Sequence, residues 1–508
     1  MSLLLAALAG GVLLGVMVLT NPDRGGSGRR SARWASSLDL RILRASARHR
    51  DSGRLALGRH HGRILHAESR HALVAFGPPQ SGKSAGLAIP ALLEWDGPAV
   101  ASSIKTDLLA ATQYRREQFA GEVLIFDPFG LGNGRSHTWS PLRTAGTWDG
   151  ALEVAWRLAA AGELDQRGTE GGDFWAVAAE QRLAPLLFAA ARTGGGIPQV
   201  LSWAYGQGAR ELEHRLEDLA LEAPDPRVRA DARQAYEAVR GFQSQADRTR
   251  SSIEATVQAL LRAYRFQRVA ESAAGSEITP ERLLGSSSTL YLIGDPKASK
   301  LLRPIFIALL SEIVDAAYAA ANADGGRLAT PLLLCLDEAG NVAPIPNLAE
   351  VASTAPSHNI QLISIFHDLQ QARSRYGRQA ETVVNSHRAR MLLPGVADIE
   401  TLRYFSALIG ETDVRDVTRS RGRGGTSTST GRRRVPLLSP DALRQMPDGQ
   451  ALLLYGRLPP VRIRLRRYFE DRRLRRLSQP RDLSAPPHAA GPTGLPLMTT
   501  PPRRRDGI

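Results

Sequence analysis

Cysteine is almost missing: Cys335 is the only one in 508 residues. That excludes an intrachain disulfide. Its place in an apolar run marks it as a small buried hydrophobe of a reducing compartment. Lysine is scarce too. Of 65 Lys plus Arg residues, only Lys83, Lys105, Lys297 and Lys300 are Lys. In a chain that writes nearly every cation as Arg, a Lys marks a place that calls for a compact ammonium rather than a planar fork. Aromatics are only 6% of the chain, with no stacking ladder of the kind that grips single-stranded nucleic acid. The 11 His residues are scattered, with no zinc-ligand spacing. No Ser sits in a nucleophile-elbow context, and there is no internal repeat.

What is present is length, apolar content and positive charge. The length of 508 residues implies two or three domains. A hydrophobic content of 43% suffices for a buried core, and 23% charged residues is ordinary for a globular chain. The net charge of +15 is not ordinary. It points to an anionic partner, either nucleic acid or an anionic membrane surface or both, against the plainer reading of a solvated Arg-rich surface.

Residues Ser2 to Thr20 carry no charge and are mostly Leu, Ala, Val and Gly. Such a run is long enough to cross a bilayer as a helix. Arg24, Arg29, Arg30 and Arg33 follow directly, so the positive-inside rule places the rest of the chain in the cytoplasm. A cleaved signal peptide fits less well, because no basic segment precedes the apolar run and the cations follow it. Gly11 and Gly15 form a G-x-x-x-G pair that lets helices approach closely. The expectation is a transmembrane anchor over 1–22 and a polar linker over 23–70.

Beyond it, short apolar runs read as parallel strands: His71 to Phe76, Ala99 to Ile104 and Val123 to Phe126. From 141 to 284 the sequence turns Ala/Leu/Arg/Glu-rich with helical periodicity and no strand pattern. Strand patterns resume at Ser288 to Ile293, Leu332 to Leu336, Gln361 to Phe366, Arg390 to Leu393 and Ala451 to Tyr455, with a helix over Arg303 to Ala321. This divides the chain into an α/β domain in two parts, 71–140 and 285–477, around an inserted all-α domain, 141–284. Gly422 to Arg434 reads as a mobile basic loop. Val461 to Arg466 alternates Arg with apolar residues, as an edge strand with one charged face does. The Pro-rich tail, 478–508, lacks an apolar pattern and reads as disordered.

The strongest motif is Gly77-Pro78-Pro79-Gln80-Ser81-Gly82-Lys83-Ser84, which satisfies G-x-x-x-x-G-K-[ST]. Its glycines let backbone N–H groups wrap phosphates, and the following helix adds its positive N-terminal dipole. Lys83 reaches the phosphates, and the Ser84 hydroxyl ligates Mg²⁺. The apolar run Pro331 to Leu336 ends in Asp337-Glu338. Asp337 at that position holds the metal, and Glu338 orients or deprotonates the attacking water. The pair favours ATP hydrolysis over phosphate transfer to a small molecule. Gly130-Leu-Gly132-Asn-Gly134 also follows a strand, but no apolar helix opens after it, so it reads as a turn.

These pieces, taken in order, resemble the TraG/TraD-type coupling ATPases of type IV secretion and conjugation. The resemblance runs from about His71 to Phe469. It includes Ser103-Ile-Lys105-Thr-Asp107, Phe126-Asp127-Pro128-Phe-Gly130 and Trp139-Ser-Pro141-Leu142. It continues through Phe174-Trp175, Asp337-Glu338-Ala-Gly, Phe366-His367-Asp368-Leu-Gln370-Gln371, Leu393-Pro394-Gly395 and Met446-Pro-Asp-Gly449. It implies a RecA-like P-loop NTPase domain with an inserted all-α domain, preceded by an N-terminal transmembrane helix. It further implies a hexamer, single-pass in the inner (cytoplasmic) membrane, that hydrolyses ATP with Mg²⁺ and delivers DNA, usually with a relaxase, to a type IV secretion channel. In such a hexamer cations line a central DNA channel, and Arg421, Arg423, Arg432, Arg433 and Arg434 are the candidates here.

Three departures stand out. Relatives commonly carry Gln where His367 stands as a γ-phosphate sensor; His still hydrogen-bonds a phosphate, with its protonation entering the chemistry. Relatives commonly place an Arg, serving a neighbouring subunit's nucleotide, where this chain has Pro356. Losing such an arginine finger costs orders of magnitude in rate, and Arg388 or Arg390 are the available substitutes. Many relatives have two membrane helices, and one is visible here. An FtsK-like DNA pump is the runner-up, but it lacks support from further membrane helices or a C-terminal DNA-reading module. A docking platform that binds nucleotide and hydrolyses it weakly is the other alternative.

Overall fold

The computed structural model describes residues 31–480 apart from 45–52, 120, 133, 167–171, 296 and 423–424. The expected anchor over 1–22 and nearly all of the tail lie outside the described residues, as does Arg423.

The apolar runs form strands because uninterrupted Val, Ile, Leu and Ala can be covered on both faces. Strands β1 (Ala56–His60), β2 (Arg63–His66), β3 (Ala72–Phe76), β4 (Ala99–Ser103), β5 (Val123–Phe126), β6 (Thr289–Ile293), β7 (Leu332–Leu336), β8 (Ile360–Phe366) and β9 (Ala389–Leu392) come first in the chain. After β10 (Glu411–Gly422) and β11 (Gly425–Pro436) come β12 (Gln450–Tyr455) and β13 (Val461–Arg464). Eleven of them make one sheet in the order β2-β1-β13-β12-β9-β3-β8-β7-β4-β6-β5. From β9 to β5 the strands are parallel, whereas β12 runs against β9. Along β3, Ala72, Val74 and Phe76 enter one hydrophobic core while Leu73 and Ala75 enter the other. The sheet is therefore the middle layer of three.

Between β5 and β6 the described residues contain helices and turns but no strand. The long members are Trp148–Gln166, Gly172–Thr193, Ala209–Glu222, Pro226–Gln243 and Asp247–Leu261. They join the sheet domain through the helix Ser299–Ala323. There Glu312 accepts from Trp139 Nε1 at 2.7 Å and pairs with Arg143, while Arg157 meets Asp315 at 3.0 Å. By length and composition this helix passes as a membrane span, but 67% of its most apolar window is buried inside the fold. It is a core helix.

Three expectations need correction. The segment read as linker contributes β1 and β2 to the sheet; strands this short, broken by His and Arg, carry too weak a pattern to be read. The basic loop is instead a long antiparallel hairpin, β10 with β11, paired from Glu411↔Pro436 to Gly422↔Gly425. Its Ser/Thr/Arg content hides it, because neither face is apolar. Finally, β13 is not an edge strand: it lies between β1 and β12. Its alternation, with Val461 and Ile463 buried and Arg462 and Arg464 exposed, reports one covered face and says nothing of lateral neighbours.

Candidate nucleotide-hydrolysis site

The C-terminal ends of β3, β8, β7 and β4 sit side by side. In open α/β sheets that is where ligands bind. The loop from Gly77 to Lys83 leaves β3 and leads into the helix Ser84–Glu94. Two of its residues, Gln80 and Gly82, have positive φ of 65° and 87°, so the loop curls into the left-handed turns that point successive N–H groups inward. Gly77 is sterically required: a Cβ there would lie 2.5 Å from Ser81 Oγ and 3.0 Å from Leu393 Cβ.

The loop brings Lys83 and Ser84 to the carboxylates that end β7. Lys83 is buried; its ammonium donates to the Gly77 carbonyl at 2.7 Å and lies 3.9 Å from Glu338 Oε1. It also meets His367 Nδ1 at 2.8 Å. An ammonium only donates, so Nδ1 accepts and the His367 proton sits on Nε2. That nitrogen lies 3.1 Å from Glu338 Oε2, so neutral His367 bridges the lysine and the glutamate. The backbone N–H of His367 is held by Gln371 Oε1 at 2.7 Å, which gives the second Gln of the following pair a task.

Ser84 donates its hydroxyl to Asp337 Oδ2 at 2.5 Å. The other oxygen of Asp337, Oδ1, is buried and has no hydrogen-bond partner among the described residues. A buried polar atom without a partner is costly and calls for a ligand. A hydroxyl beside a carboxylate is the hard-oxygen set that Mg²⁺ takes together with phosphate oxygens. The residues therefore fit that cation.

Burial pushes the Asp337 carboxyl up to about 6, with the Ser84 hydroxyl opposing. For Glu338 burial also pushes upward, but the His367 hydrogen bond and the charges around it more than offset this and hold its carboxyl below the usual range. Burial lowers the Lys83 ammonium, against the pull of Glu338 and Asp337. Two adjacent carboxylates are thus driven apart, one toward holding a proton and one toward staying ionised. Glu338 further adopts φ of +74°, a left-handed conformation rare for such a side chain and found preferentially at functional sites. Asn341 Nδ2 steadies it with a 3.0 Å bond to Oε2.

The cleft over these groups measures about 550 Å³. Its far wall is built from two distant parts of the chain. Lys105 comes from the loop after β4 and Asp107 from the start of the helix that follows, while Asp448 precedes β12 and Arg467 and Phe469 follow β13. The Tyr468 N–H donates to Ala85 O at 3.0 Å, which fastens that segment over the start of the helix. Scarcity of lysine singled out Lys105; nothing local marks Arg467 or Phe469, which folding imports from almost 400 residues away.

Other expected residues are placed elsewhere. Arg388 and Arg390 lie at the start of β9, the opposite end from the cleft. Arg388 pairs with Glu68 at 2.7 Å, and Arg390 bonds the carbonyls of Val384 and Asn385. Pro356 is buried just before β8, also at that end. Arg432, Arg433 and Arg434 are exposed on β11, and position 421 falls on β10, all outside the cleft. The Gly130 to Gly134 segment closes on Asp127, whose carboxylate accepts from Gly130 N at 3.0 Å and Gly132 N at 2.5 Å.

Comparison with known proteins gives a consistent picture. The family model for type IV secretory system conjugative DNA transfer matches residues 41–488. A conjugal transfer protein TraG of Escherichia coli is 25% identical over 408 residues, 76% of this chain and 63% of that protein. The chain thus spans somewhat under two thirds of that relative's length. Protein VirD4 of Rhizobium rhizogenes is 23% identical over 483 residues, 92% of this chain and 69% of that one. Among solved structures, the bacterial conjugative coupling protein TrwBdeltaN70 aligns with a TM-score of 0.60 at 19% identity, over 86% of this chain and 93% of that one. TrwB in complex with ADP and Mg²⁺ aligns with a TM-score of 0.59 at 19% identity, over 86% and 94%. At such identity the structural likeness concerns the fold.

Proposed function

The chain belongs to the conjugative DNA-transfer family of type IV secretory systems, and from that premise we propose that it is a membrane-anchored, ATP-hydrolysing coupling protein. In this reading it assembles as a homo-hexamer in the cell's inner membrane. It recruits DNA, or DNA bound to its relaxase, and pumps it toward the secretion channel. The observation that carries the proposal is the convergence of Lys83, Ser84, Asp337, Glu338 and His367 in one cleft, with Asp337 Oδ1 buried and unpartnered. ATP and Mg²⁺ as the bound pair are supported by the relative TrwB, solved with ADP and Mg²⁺.

Each side chain has a task that follows from its environment. Lys83 and the N–H groups of residues 77–84 neutralise and orient the phosphates. Ser84 and Asp337 hold the divalent cation, which supplies positive charge against the charge that develops on the transferred phosphoryl group. Glu338, kept ionised by its neighbours, accepts hydrogen bonds from the attacking water and takes its proton. His367 connects Lys83 to Glu338. It is therefore placed to report the charge state of the phosphate side to the base, the position that Gln occupies in relatives.

No arginine among the described lining residues other than Arg467 enters the cleft, and Arg467 is engaged by Asp448 and Glu470. This favours, as a second reading, a nucleotide-binding platform that turns over only when a partner supplies a cation. ATP hydrolysis by the full chain in detergent, with and without DNA and beside Lys83→Ala and Glu338→Gln, separates the two. DNA-stimulated turnover that disappears in both variants supports the motor. Tight ATP binding without turnover under any DNA condition overturns it and leaves the platform.

A further inference from the structure

The parallel strands begin on the face opposite the nucleotide cleft, and that face has a composition of its own. The chain enters the described fold there. Ala32 N–H donates to Glu411 O at 2.7 Å, and Ser31 Oγ bonds Thr412 Oγ1 at 3.0 Å and Asp413 N at 3.1 Å. Ala35 N–H donates to Pro460 O at 2.9 Å. Residues 31 and 32 are thereby sewn to the root of the β10–β11 hairpin, and Ala35 to the turn between β12 and β13. Only residues 23–30 separate it from the uncharged N-terminal run. Eight residues reach at most about 28 Å when fully extended.

We propose that this face is a docking surface for anionic lipid headgroups. The proposal rests on the reading of the N-terminal run as a membrane anchor. If that run is in the bilayer, the short connection holds this face beside it, and the side chains suit the interface. The turn Asp39–Leu43 buries Leu40 and Leu43 completely and leaves Leu38 77% and Ile42 48% exposed. Two fixed aliphatic side chains presented outward, with exposed Arg41 between them, are what an interfacial contact uses: carbon into the acyl boundary, guanidinium at the phosphates.

Ile42 also lines a cleft of about 440 Å³ with Glu68, Arg388, Tyr455, Arg457 and Leu458. Arg388 is positioned by Glu68 at 2.7 Å and lies over the Tyr455 ring, 5.6 Å from its centroid, while Arg457 is exposed. A pre-aimed guanidinium beside a second one, with an apolar wall, fits the two unesterified oxygens of a phosphodiester. The hairpin continues the same surface outward. Its register puts Arg415, Arg432 and Arg434 on one face of the ribbon, together with Glu411 and Asp413, and Asp413 answers Arg434 at 3.5 Å.

A nucleic acid also has phosphates, so the cations alone do not choose. The exposed aliphatics choose. A phosphate backbone has no use for Leu38, Ile42 and Val417, the last 51% exposed on the arginine face. Trp34, beside the Ala35–Pro460 contact, has the Arg462 guanidinium over its ring, 4.7 Å from the centroid, so that this face is not open to a stacking base. A bilayer interface takes carbon and cation together.

The only native cysteine, Cys335, is fully buried, so single-cysteine labelling reads out introduced positions. The full chain would be reconstituted in vesicles of phosphatidylcholine, alone or mixed with phosphatidylglycerol, that contain nitroxide-labelled lipid. An environment-sensitive fluorophore would be placed at Leu38→Cys, Ile42→Cys, Val12→Cys in the apolar run, or Ala397→Cys near the nucleotide end. The expected result is several-fold stronger quenching at 38 and 42 in the anionic vesicles than in the neutral ones. Position 397 stays unquenched, and the effect is reduced when Arg41→Ala and Arg457→Ala are added. Quenching at 12 but not at 38 or 42 overturns the proposal and leaves the anchor standing. Absence of quenching at 12 sinks the anchor reading and this proposal with it. Labels at 38 and 42 that respond to added DNA but not to anionic lipid overturn it in favour of a nucleic-acid contact.

Discussion

Replacing Asp337 with Asn in the cation-free protein separates the cost of burying a carboxylate from the use made of it. Burial, opposed by the Ser84 hydroxyl, lifts this carboxyl from 3.8 to about 6. At 1.36 kcal/mol per pH unit, keeping the side chain ionised inside the fold costs about 3 kcal/mol. The folded-state value lies above the unfolded one. The associated stability is therefore complete below 3.8 and is lost as pH rises through about 6. Asn removes the charge but keeps an oxygen that can accept from Ser84 Oγ. In EDTA, Asp337→Asn should therefore be more stable than the parent by about 3 kcal/mol at pH 8 and by about half of that at pH 5. Calorimetric unfolding at the two pH values reads this as a melting-point gain of a few degrees that grows with pH. Adding Mg²⁺ and ATP should reverse the ranking, because only the parent gains from binding. A variant no more stable than the parent at pH 8, or equally stabilised at both pH values, would refute the burial argument.

The remaining expectations concern the walls of the cleft and the frame beneath it. Phe469 is 49% exposed and lines the cleft, where an aromatic ring can pack against the base of a bound nucleotide. Phe469→Ala should raise KM for ATP about three- to ten-fold, the range worth about 0.5–1.5 kcal/mol, with kcat nearly unchanged. Lys105 lies on the loop after β4, the neighbour of β7. Lys105→Ala should lower kcat by about ten-fold or more while nucleotide affinity, measured by calorimetric titration, changes less. Arg466 is buried; it grips Glu94 at 2.6 and 3.1 Å and Asp471 at 3.2 Å. Arg466→Ala removes the buried partner of both acids but leaves Asp471 with Arg59 at 3.0 Å and Glu94 with Arg473 at 3.6 Å, and should cost about 1.5–3 kcal/mol in chemical denaturation. Burial tends to raise the Asp471 carboxyl, but the Arg59 hydrogen bond and the Arg466 charge hold it down to about 2. Its contribution is thus present above 3.8 and is lost as pH falls through about 2. In Arg466→Ala that loss should move to higher pH.

How far the sequence could be read depended on which property each element needed. The strands β3 to β9 were legible because a strand covered on both faces must be an apolar run, and a run such as Leu332–Leu336 allows little else. The P-loop and Asp337-Glu338 were legible because their chemistry fixes both residue type and position. The hairpin was not, because a two-stranded ribbon outside the main sheet needs no apolar face. The Asp448, Arg467 and Phe469 wall was not, because three-dimensional neighbours separated by hundreds of residues leave no periodic trace. The distribution of cations, by contrast, carried more than its count suggested. All four lysines fall at or just beyond the C-terminal ends of parallel strands: Lys83 after β3, Lys105 after β4, and Lys297 and Lys300 after β6. The opposite face, with Arg41, Arg388, Arg457 and the hairpin, is written in Arg alone. A compact point charge on a flexible stem, able to follow a moving phosphate, suits an end where charge migrates during chemistry. A planar fork that lies along a phosphodiester suits an end where contact is held. Apart from Arg467 in the cleft, the two cations therefore sort along the same axis as the fold, with the proposed hydrolysis site at one end of the sheet and the proposed lipid contact at the other.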